Sequence, residues 1–260
     1  MRKKMRMTSS VALASIVTGG GRGIGRAITL RLARDGPVVA VGRDLENLES
    51  VCRDVLASGG TAVPCAGDVA DPATAARALE LVAERGWELA NLICNAGMGK
   101  GGATHEFDPA LWREIFDINV HGSFYFVRAC LPAMMARGAG TICLMSSVAG
   151  LKGVAYDAAY TASKHALVGL ARSLALEYGK RGIVVVPLCP GFVESEMTQR
   201  AIHGLMKRQG LTTDEARAKI AATSPQRRIL PAAELAEVIA MICSGTMAAA
   251  SGNPLILGGT

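Results

Sequence analysis

The sequence predicts a single doubly wound α/β domain, a parallel β-sheet of the Rossmann type with helices on both faces. Three observations predict it: short continuous apolar runs recur along the chain, segments of helical period separate them, and the first run leads straight into a glycine loop. At 260 residues the chain suits one domain of this class and is long enough to bury a core without staples.

The predicted strands are Ala12–Val17, Val38–Val41, Ala62–Cys65, Leu89–Cys94, Gly140–Met145, Ile183–Leu188 and Pro254–Leu257. Most are apolar throughout rather than alternating, as expected of strands covered on both faces. Between the first of them, Ile24–Asp35 carries Ile28, Leu32 and Ala33 on one side. Leu45–Ser58 does the same with Leu48, Val51, Cys52 and Val55, and Ala73–Arg85 with Ala75, Leu79, Val82 and Ala83. The stretch Phe192–Pro225 is polar, holds one weak helix and reads as an insertion over a sheet edge, a lid at about 192–225. The domain is expected over 11–260, behind a basic, flexible tail at 1–10.

Half the residues are hydrophobic but only 4% aromatic, so Ala, Val, Leu and Ile must build the core. The formal charge is +6, and Arg2, Lys3, Lys4 and Arg6 carry four of those charges. The tail has no interleaved aromatics and no binding module follows it, so no nucleic-acid partner is expected. The run Val11–Val17 is too short for a membrane span or a signal peptide and enters a glycine loop rather than a cleavage site, so no membrane role is expected. Seven cysteines form no C-x-x-C pair and mostly lie inside apolar runs, which points to reduced thiols in a cytoplasmic protein. Four scattered histidines give no metal-ligand spacing, and no metal is expected.

The loop Thr18-Gly19-Gly20-Gly21-Arg22-Gly23-Ile24-Gly25 joins a strand to a helix, where backbone N–H groups and the helix N-terminus can approach a diphosphate. It lacks the Lys-Ser/Thr ending of a nucleotide-triphosphate loop. A literal G-x-G-x-x-G at Gly97–Gly102 follows a later strand with no helix opening inside it, and reads as a chance match. At the end of the second strand Gly42 and Arg43 stand where an acid would otherwise hold a ribose 2′-hydroxyl. Arg43, with Arg22 as a second cation, suits a 2′-phosphate, so NADP(H) is the expected cofactor. NAD(H) stays open, because a one-residue shift of register would present Asp44 instead.

The pattern Thr18-Gly19-x-x-x-Gly23-x-Gly25, followed in order by Asp68-Val69, Asn95-Ala96-Gly97, Asn119, Ser147, Tyr160, Lys164, Pro190-Gly191 and Ser195, resembles the short-chain dehydrogenase/reductase family over roughly residues 10 to 260. Each motif alone is weak; all of them in order are specific. The resemblance implies that Asp68 and Val69 touch the adenine, that Asn95, Ala96 and Gly97 form the turn behind the cofactor, and that Pro190, Gly191 and Val193 lie over the nicotinamide. Ser195 takes the place of a threonine that bonds the carboxamide. Asn119, Ser147, Tyr160 and Lys164 are the implied catalytic set, with Lys164 also holding the nicotinamide ribose. Asn119, within the apolar Phe116–Val120, is implied to kink its helix and hold a proton-relaying water.

Tyr160 and Lys164 lie four apart, on one face of a helix. A neighbouring ammonium favours the phenolate and should lower the tyrosine from its ordinary pKa of ~10. Tyr160 is then the acid in carbonyl reduction and the base in alcohol oxidation. Ser147 ends a strand, where ligands of open α/β sheets gather, and can donate to the substrate oxygen. No G-x-S-x-G surrounds it, which excludes a serine hydrolase of that kind.

The expected function is hydride transfer between NADP(H) and a ketone or secondary alcohol. A 3-oxoacyl-thioester reductase and a non-catalytic dinucleotide sensor are the alternatives. Met98, Val148, Leu151, Val154, Tyr156 and Phe192 are expected to wall the substrate pocket, with Met197, Ile202, Leu205 and Met206 from the lid. The family commonly forms tetramers, which implies a homotetramer or homodimer; Phe124, Val127, Ala166, Leu170 and Leu174 are candidates for its interface.

Overall fold

The structure, a computed structural model, describes residues 11–259. The expected basic tail at 1–10 lies outside the described residues. In chain order the elements are β1 (Leu13–Thr18), α1 (Gly23–Leu32), β2 (Val38–Gly42), α2 (Leu45–Ala57), β3 (Ala62–Ala66), α3 (Pro72–Glu84), β4 (Glu88–Cys94), α4 (Pro109–Phe116), α5 (Gly122–Arg137), β5 (Gly140–Met145), α6 (Ala158–Tyr178), β6 (Ile183–Pro190), α7 (Glu196–Gln209), α8 (Thr213–Ala221), α9 (Ala232–Cys243) and β7 (Leu255–Leu257).

All seven strands run parallel in the order β3-β2-β1-β4-β5-β6-β7. Every expected strand is present, with ends shifted by a residue or two. The order reverses between β1 and β4, the switch point beyond whose strand ends open α/β sheets bind ligands. Local chemistry sets the helix starts. Asp44, Asp71 and Asp108 cap α2, α3 and α4 by accepting backbone N–H groups, and Pro72 and Pro109 stand at the first helical positions.

Successive residues of each central strand face opposite cores. Leu92 and Cys94 of β4, and Ile142 and Leu144 of β5, pack with α3, α5 and α6; Ile93, Cys143 and Met145 pack with α1 and α9. Burial on both faces is why these runs read as continuous. Phe126 is the bulkiest fully buried side chain, and aliphatic residues fill the rest. Five thiols are buried, those of Cys65, Cys94, Cys130, Cys143 and Cys189, and no disulfide forms among the described cysteines.

Two expectations need correction. The segment expected to be a lid holds two helices, α7 and α8, not one: Ser195 caps the first, and Thr212 with Glu215 forms a capping box on the second. Of the candidate interface residues, Val127, Leu170 and Leu174 pack inward on the sheet, whereas Phe124 stays exposed. Among the described residues no helix is long and apolar enough to cross a membrane.

Candidate active site

The loops after β1, β4, β5 and β6 meet at the carboxyl edge of the sheet. Thr18 ties the first two together. Its Oγ1 accepts from the backbone N–H groups of Asn95 and Ala96, both at 2.9 Å, and Asn95 Nδ2 donates to the Thr18 carbonyl at 2.9 Å. The glycines of the loop are sterically required. A Cβ on Gly25 would lie 1.9 Å from the Gly19 carbonyl oxygen, and Gly19 itself has φ +65°. Gly23, at φ +51°, would point a Cβ into open space. Arg22, the residue before α1, gives that helix no side-chain cap, so the first N–H groups of α1 remain available as donors. A strand, a close-packed glycine turn and an uncapped helix N-terminus fit a dinucleotide diphosphate. The Arg22 side chain meets Glu196 at 3.1 Å, joining this loop to α7.

The end of β2 fixes the register. Thr18 pairs with Val41, β2 ends at Gly42, and Arg43 follows, exposed, 3.8 Å from Asp68. Asp44 is turned into α2, where its carboxylate accepts from the Asn47 backbone N–H at 3.2 Å and from Asn47 Nδ2 at 2.5 Å. Asp68 accepts from the Ala70 N–H at 3.0 Å, and Val69 is buried against Gly122.

The four expected catalytic residues come together. Asn119 lies in one π-helical turn, Asp117–His121, between α4 and α5. Such turns often mark working sites. Asn119 is 1% exposed; its Oδ1 accepts from the Met98 N–H at 2.8 Å, and its Nδ2 donates to the Met98 carbonyl and to Ser163 Oγ, both at 2.9 Å. Ser163 donates in turn to the Tyr160 carbonyl at 2.7 Å. Ser147 stands close enough to the Tyr160 phenol for its hydroxyl to favour the phenolate, and Gly99 lets the loop after β4 close on the Tyr160 ring, where an added Cβ would lie 2.9 Å away. Lys164 is 3% exposed and donates to the Met145 carbonyl at 2.7 Å; its Nζ stands 5.4 Å from the Tyr160 ring centre. A Cβ on Gly97 would sit 3.2 Å from Asn119 Oδ1 and 3.4 Å from Lys164 Nζ, so that glycine keeps open the space between them.

Electrostatics depart from the expectation in one respect. Burial pushes the Tyr160 phenol up to about 12; the Ser147 hydrogen bond opposes this and the Asp157 charge adds to it. Burial also brings Lys164 down to about 8. The expected lowering of Tyr160 by the Lys164 ammonium does not appear: burial, the Ser147 hydroxyl and the Asp157 charge set the shift.

Of the residues expected to wall a substrate pocket, Met98, Val148, Leu151 and Met197 are half-buried, and Val154, Tyr156 and Phe192 are exposed. Ile202, with Leu205 and Met206 packed against it, joins Ala216, Ile220 and Ile229 in a small separate core. Val193 is also buried in packing, against the α1/α9 layer. Ser195 is occupied as the α7 cap, accepting from the Thr198 N–H at 3.2 Å and donating to Thr198 Oγ1 at 3.3 Å. Pro190 ends β6, and the Gly191 N–H donates to the Leu257 carbonyl at 2.7 Å.

Sequence reasoning gave no site role to three contributors. Ser146, 2% exposed, donates to the Lys164 backbone carbonyl at 2.8 Å. Ser163 bridges Asn119 to α6. Gly258 and Gly259 press on Gly191 and Val148, where a Cβ on Gly259 would come within 2.4 Å of Val148. The paired glycines after the last strand were the legible signal for the third.

A family model for short chain dehydrogenase matches residues 14–205. The chain is 34% identical to the 3-oxoacyl-(acyl-carrier-protein) reductase of Escherichia coli (strain K12), over 94% of this chain and 95% of that protein. A crystal structure of an actinorhodin polyketide ketoreductase with NADPH superposes with a TM-score of 0.90 at 32% identity, covering 95% of this chain and 96% of the other. L-sorbose reductase from Gluconobacter frateurii, in complex with NADPH and L-sorbose, gives 0.89 at 26% identity, with 96% of each chain covered.

Proposed function

Because this chain belongs to the short-chain dehydrogenase/reductase family, and is an oxidoreductase of carbonyl and alcohol groups, we propose that it interconverts a ketone and a secondary alcohol with NADP(H) in preference to NAD(H), using Tyr160 as proton donor and acceptor. The observation that carries the reading is the convergence of Ser147, Tyr160, Lys164 and Asn119 on one hydrogen-bonded site beside the uncapped start of α1.

NADPH, when bound, supplies the hydride to the carbonyl carbon. The glycines at 19, 21, 23 and 25, with the N–H groups of Ile24 and its neighbours, would hold the diphosphate. Arg43 would take the 2′-phosphate, with Arg22, paired to Glu196 in this structure, as a second cation, and Asp68 and Val69 would flank the adenine. Asn95, Ala96 and Gly97 would form the back wall, while Pro190, Gly191 and Val193 would bound the nicotinamide end. The placement of Asp44 as a helix cap supports NADP(H), since no carboxylate is left beside Arg43 to repel a phosphate except Asp68, which the arginine pairs. That similar structures hold NADPH supports it too.

Ser147 and Tyr160 hydroxyls both donate to the substrate oxygen, and Tyr160 releases its proton as negative charge develops there. Its raised pKa keeps the phenol protonated at neutral pH, the form reduction requires. Lys164, held by the Met145 carbonyl, presents its remaining N–H groups to the ribose and the proton path. Asn119 spends its side chain on Met98 and Ser163, so its contribution is to fix the loop after β4 against α6.

A narrower reading, reduction of 3-oxoacyl thioesters, is supported by the E. coli relative and the polyketide ketoreductase. The intact catalytic set disfavours a non-catalytic sensor. Unpaired thiols support a cytoplasmic setting. Exposed Phe124 on α5 and Leu176 on α6 support self-association into a tetramer or dimer. Purified protein with NADPH and a broad panel of ketones tests the main reading by loss of NADPH absorbance; cofactor binding with no turnover of any ketone defeats it.

A further inference from the structure

Asp157 stands immediately before α6, three residues ahead of Tyr160. Asp44, Asp71 and Asp108 occupy the same position on their helices, and each gives its carboxylate to a backbone N–H. Asp157 does not: its side chain makes no capping bond, and among the described residues its carboxylate has no hydrogen-bond or ion-pair partner, although its backbone carbonyl accepts from the Thr161 N–H. It is half-buried nonetheless. An unpaired carboxylate withdrawn from water is costly, and nothing in the helix recovers that cost. Burial raises its pKa accordingly, and its charge reaches the Tyr160 phenol.

The segment presenting Asp157 is braced. Tyr156 takes a left-handed backbone, φ 62°, rare for a bulky residue, and is 74% exposed. Its carbonyl accepts from the Gly102 N–H at 2.7 Å, which joins this segment to the loop after β4. The brace holds Asp157 about one helical turn ahead of Tyr160, whose phenol feels its charge.

We propose that Asp157 is a specificity residue whose carboxylate accepts a hydrogen bond from a hydroxyl or ammonium group on the carbon beside the reacting carbonyl, and turns away substrates bearing an anion there. This rests on the carbonyl-reducing reading above and names the substrate class within it: α-hydroxy or α-amino ketones and the corresponding alcohols. An uncharged ketone lacking the donor leaves the carboxylate unsatisfied on binding, which is how a polar site rejects an apolar analogue.

The test compares cyclohexanone, α-hydroxycyclohexanone and cyclohexanone α-carboxylate with NADPH, on the wild type, Asp157→Ala and Asp157→Asn. The wild type is expected to prefer the hydroxyketone over cyclohexanone about ten- to hundredfold in kcat/KM. Asp157→Ala should remove that preference, and Asp157→Asn should raise the carboxylate substrate relative to cyclohexanone about tenfold. Ratios unchanged within about twofold in both variants overturn the inference, whatever the absolute rates. If the wild type turns over none of the three, it is the carbonyl-reducing reading that fails. The inference is then decided by calorimetry on the NADP-loaded protein: vicinal cyclohexanediol should bind more tightly than cyclohexanol in the wild type only, and equal discrimination in Asp157→Ala overturns it.

Discussion

Ser146 grips Lys164 through the helix backbone: its hydroxyl donates to the Lys164 carbonyl at 2.8 Å, while the Lys164 ammonium donates to the carbonyl of the preceding Met145 at 2.7 Å. The lysine is held at both ends by two consecutive residues at the tip of β5. The next residue is Ser147, so one strand end positions both the ammonium and the substrate-facing hydroxyl. Gly150 permits the crossing, since a Cβ there would lie 2.3 Å from Ser146 Oγ. Ser146→Ala should cost about 1 kcal/mol in chemical denaturation. It should also lower kcat more than it raises KM for the carbonyl. A fall in stability with kcat untouched would reduce Ser146 to packing.

Removing the phenol oxygen is the most direct challenge to the proposed chemistry. Tyr160→Phe should lower kcat by about a hundred- to ten-thousandfold and leave Kd for NADPH, read by cofactor fluorescence, within about threefold of the wild type. Turnover close to the wild-type rate would dismiss Tyr160 as the proton carrier.

Cofactor preference is testable at two adjacent residues with opposite expectations. Arg43→Ala should raise KM for NADPH about tenfold or more, and KM for NADH little, because only one of them carries the phosphate. Asp44→Ala should leave the NADPH/NADH ratio where it is and instead cost about 1 kcal/mol of stability, the loss of a helix cap. An Asp44 variant that shifts the ratio toward NADPH would place the acid in the cofactor site after all.

Lys164 gives a pH-dependent stability with a defined sign. Its pKa is near 8 in the folded protein and near the ordinary lysine value of ~10.4 unfolded. Between those values the unfolded chain binds more protons, so this residue makes stability rise with pH there. Below about pH 8 the buried charge carries its full cost, on the order of 3 kcal/mol. Lys164→Met should therefore be more stable than the wild type at about pH 7, by less than that figure because the bond to Met145 is lost. The gap should close as pH approaches about 10. A gap of constant size, measured by urea unfolding at each pH, would contradict the burial of a charged lysine.

The chemistry of this site was readable because helix period and strand ends are one-dimensional signals. Tyr160 and Lys164 share a face at any site that is helical, and Ser147 had to fall where an apolar run stopped. The lid was less legible. Ile202, Leu205 and Met206 look the same in the sequence whether they face a substrate or each other, and only the packing of α7 on α8 settles that. The charge balance at Tyr160 was misjudged for a related reason: spacing reveals a neighbouring ammonium but not how far both groups have left water. Ser146 and Asp157 stayed hidden because a serine beside a serine and an aspartate before a helix carry ordinary local explanations, and the structure supports that explanation for Asp44 and withdraws it for Asp157.

The buried thiols turn the sheet into its own reporter of opening. Cys94 lies on β4, Cys143 on β5, Cys189 on β6 and Cys130 on α5, and burial holds each of them mostly protonated, Cys94 at about 12. A thiol-modifying reagent meets them as reactive anions only when the central layer comes apart. The rate at which these four sulfurs are labelled thus times the breathing of the scaffold, with no probe introduced.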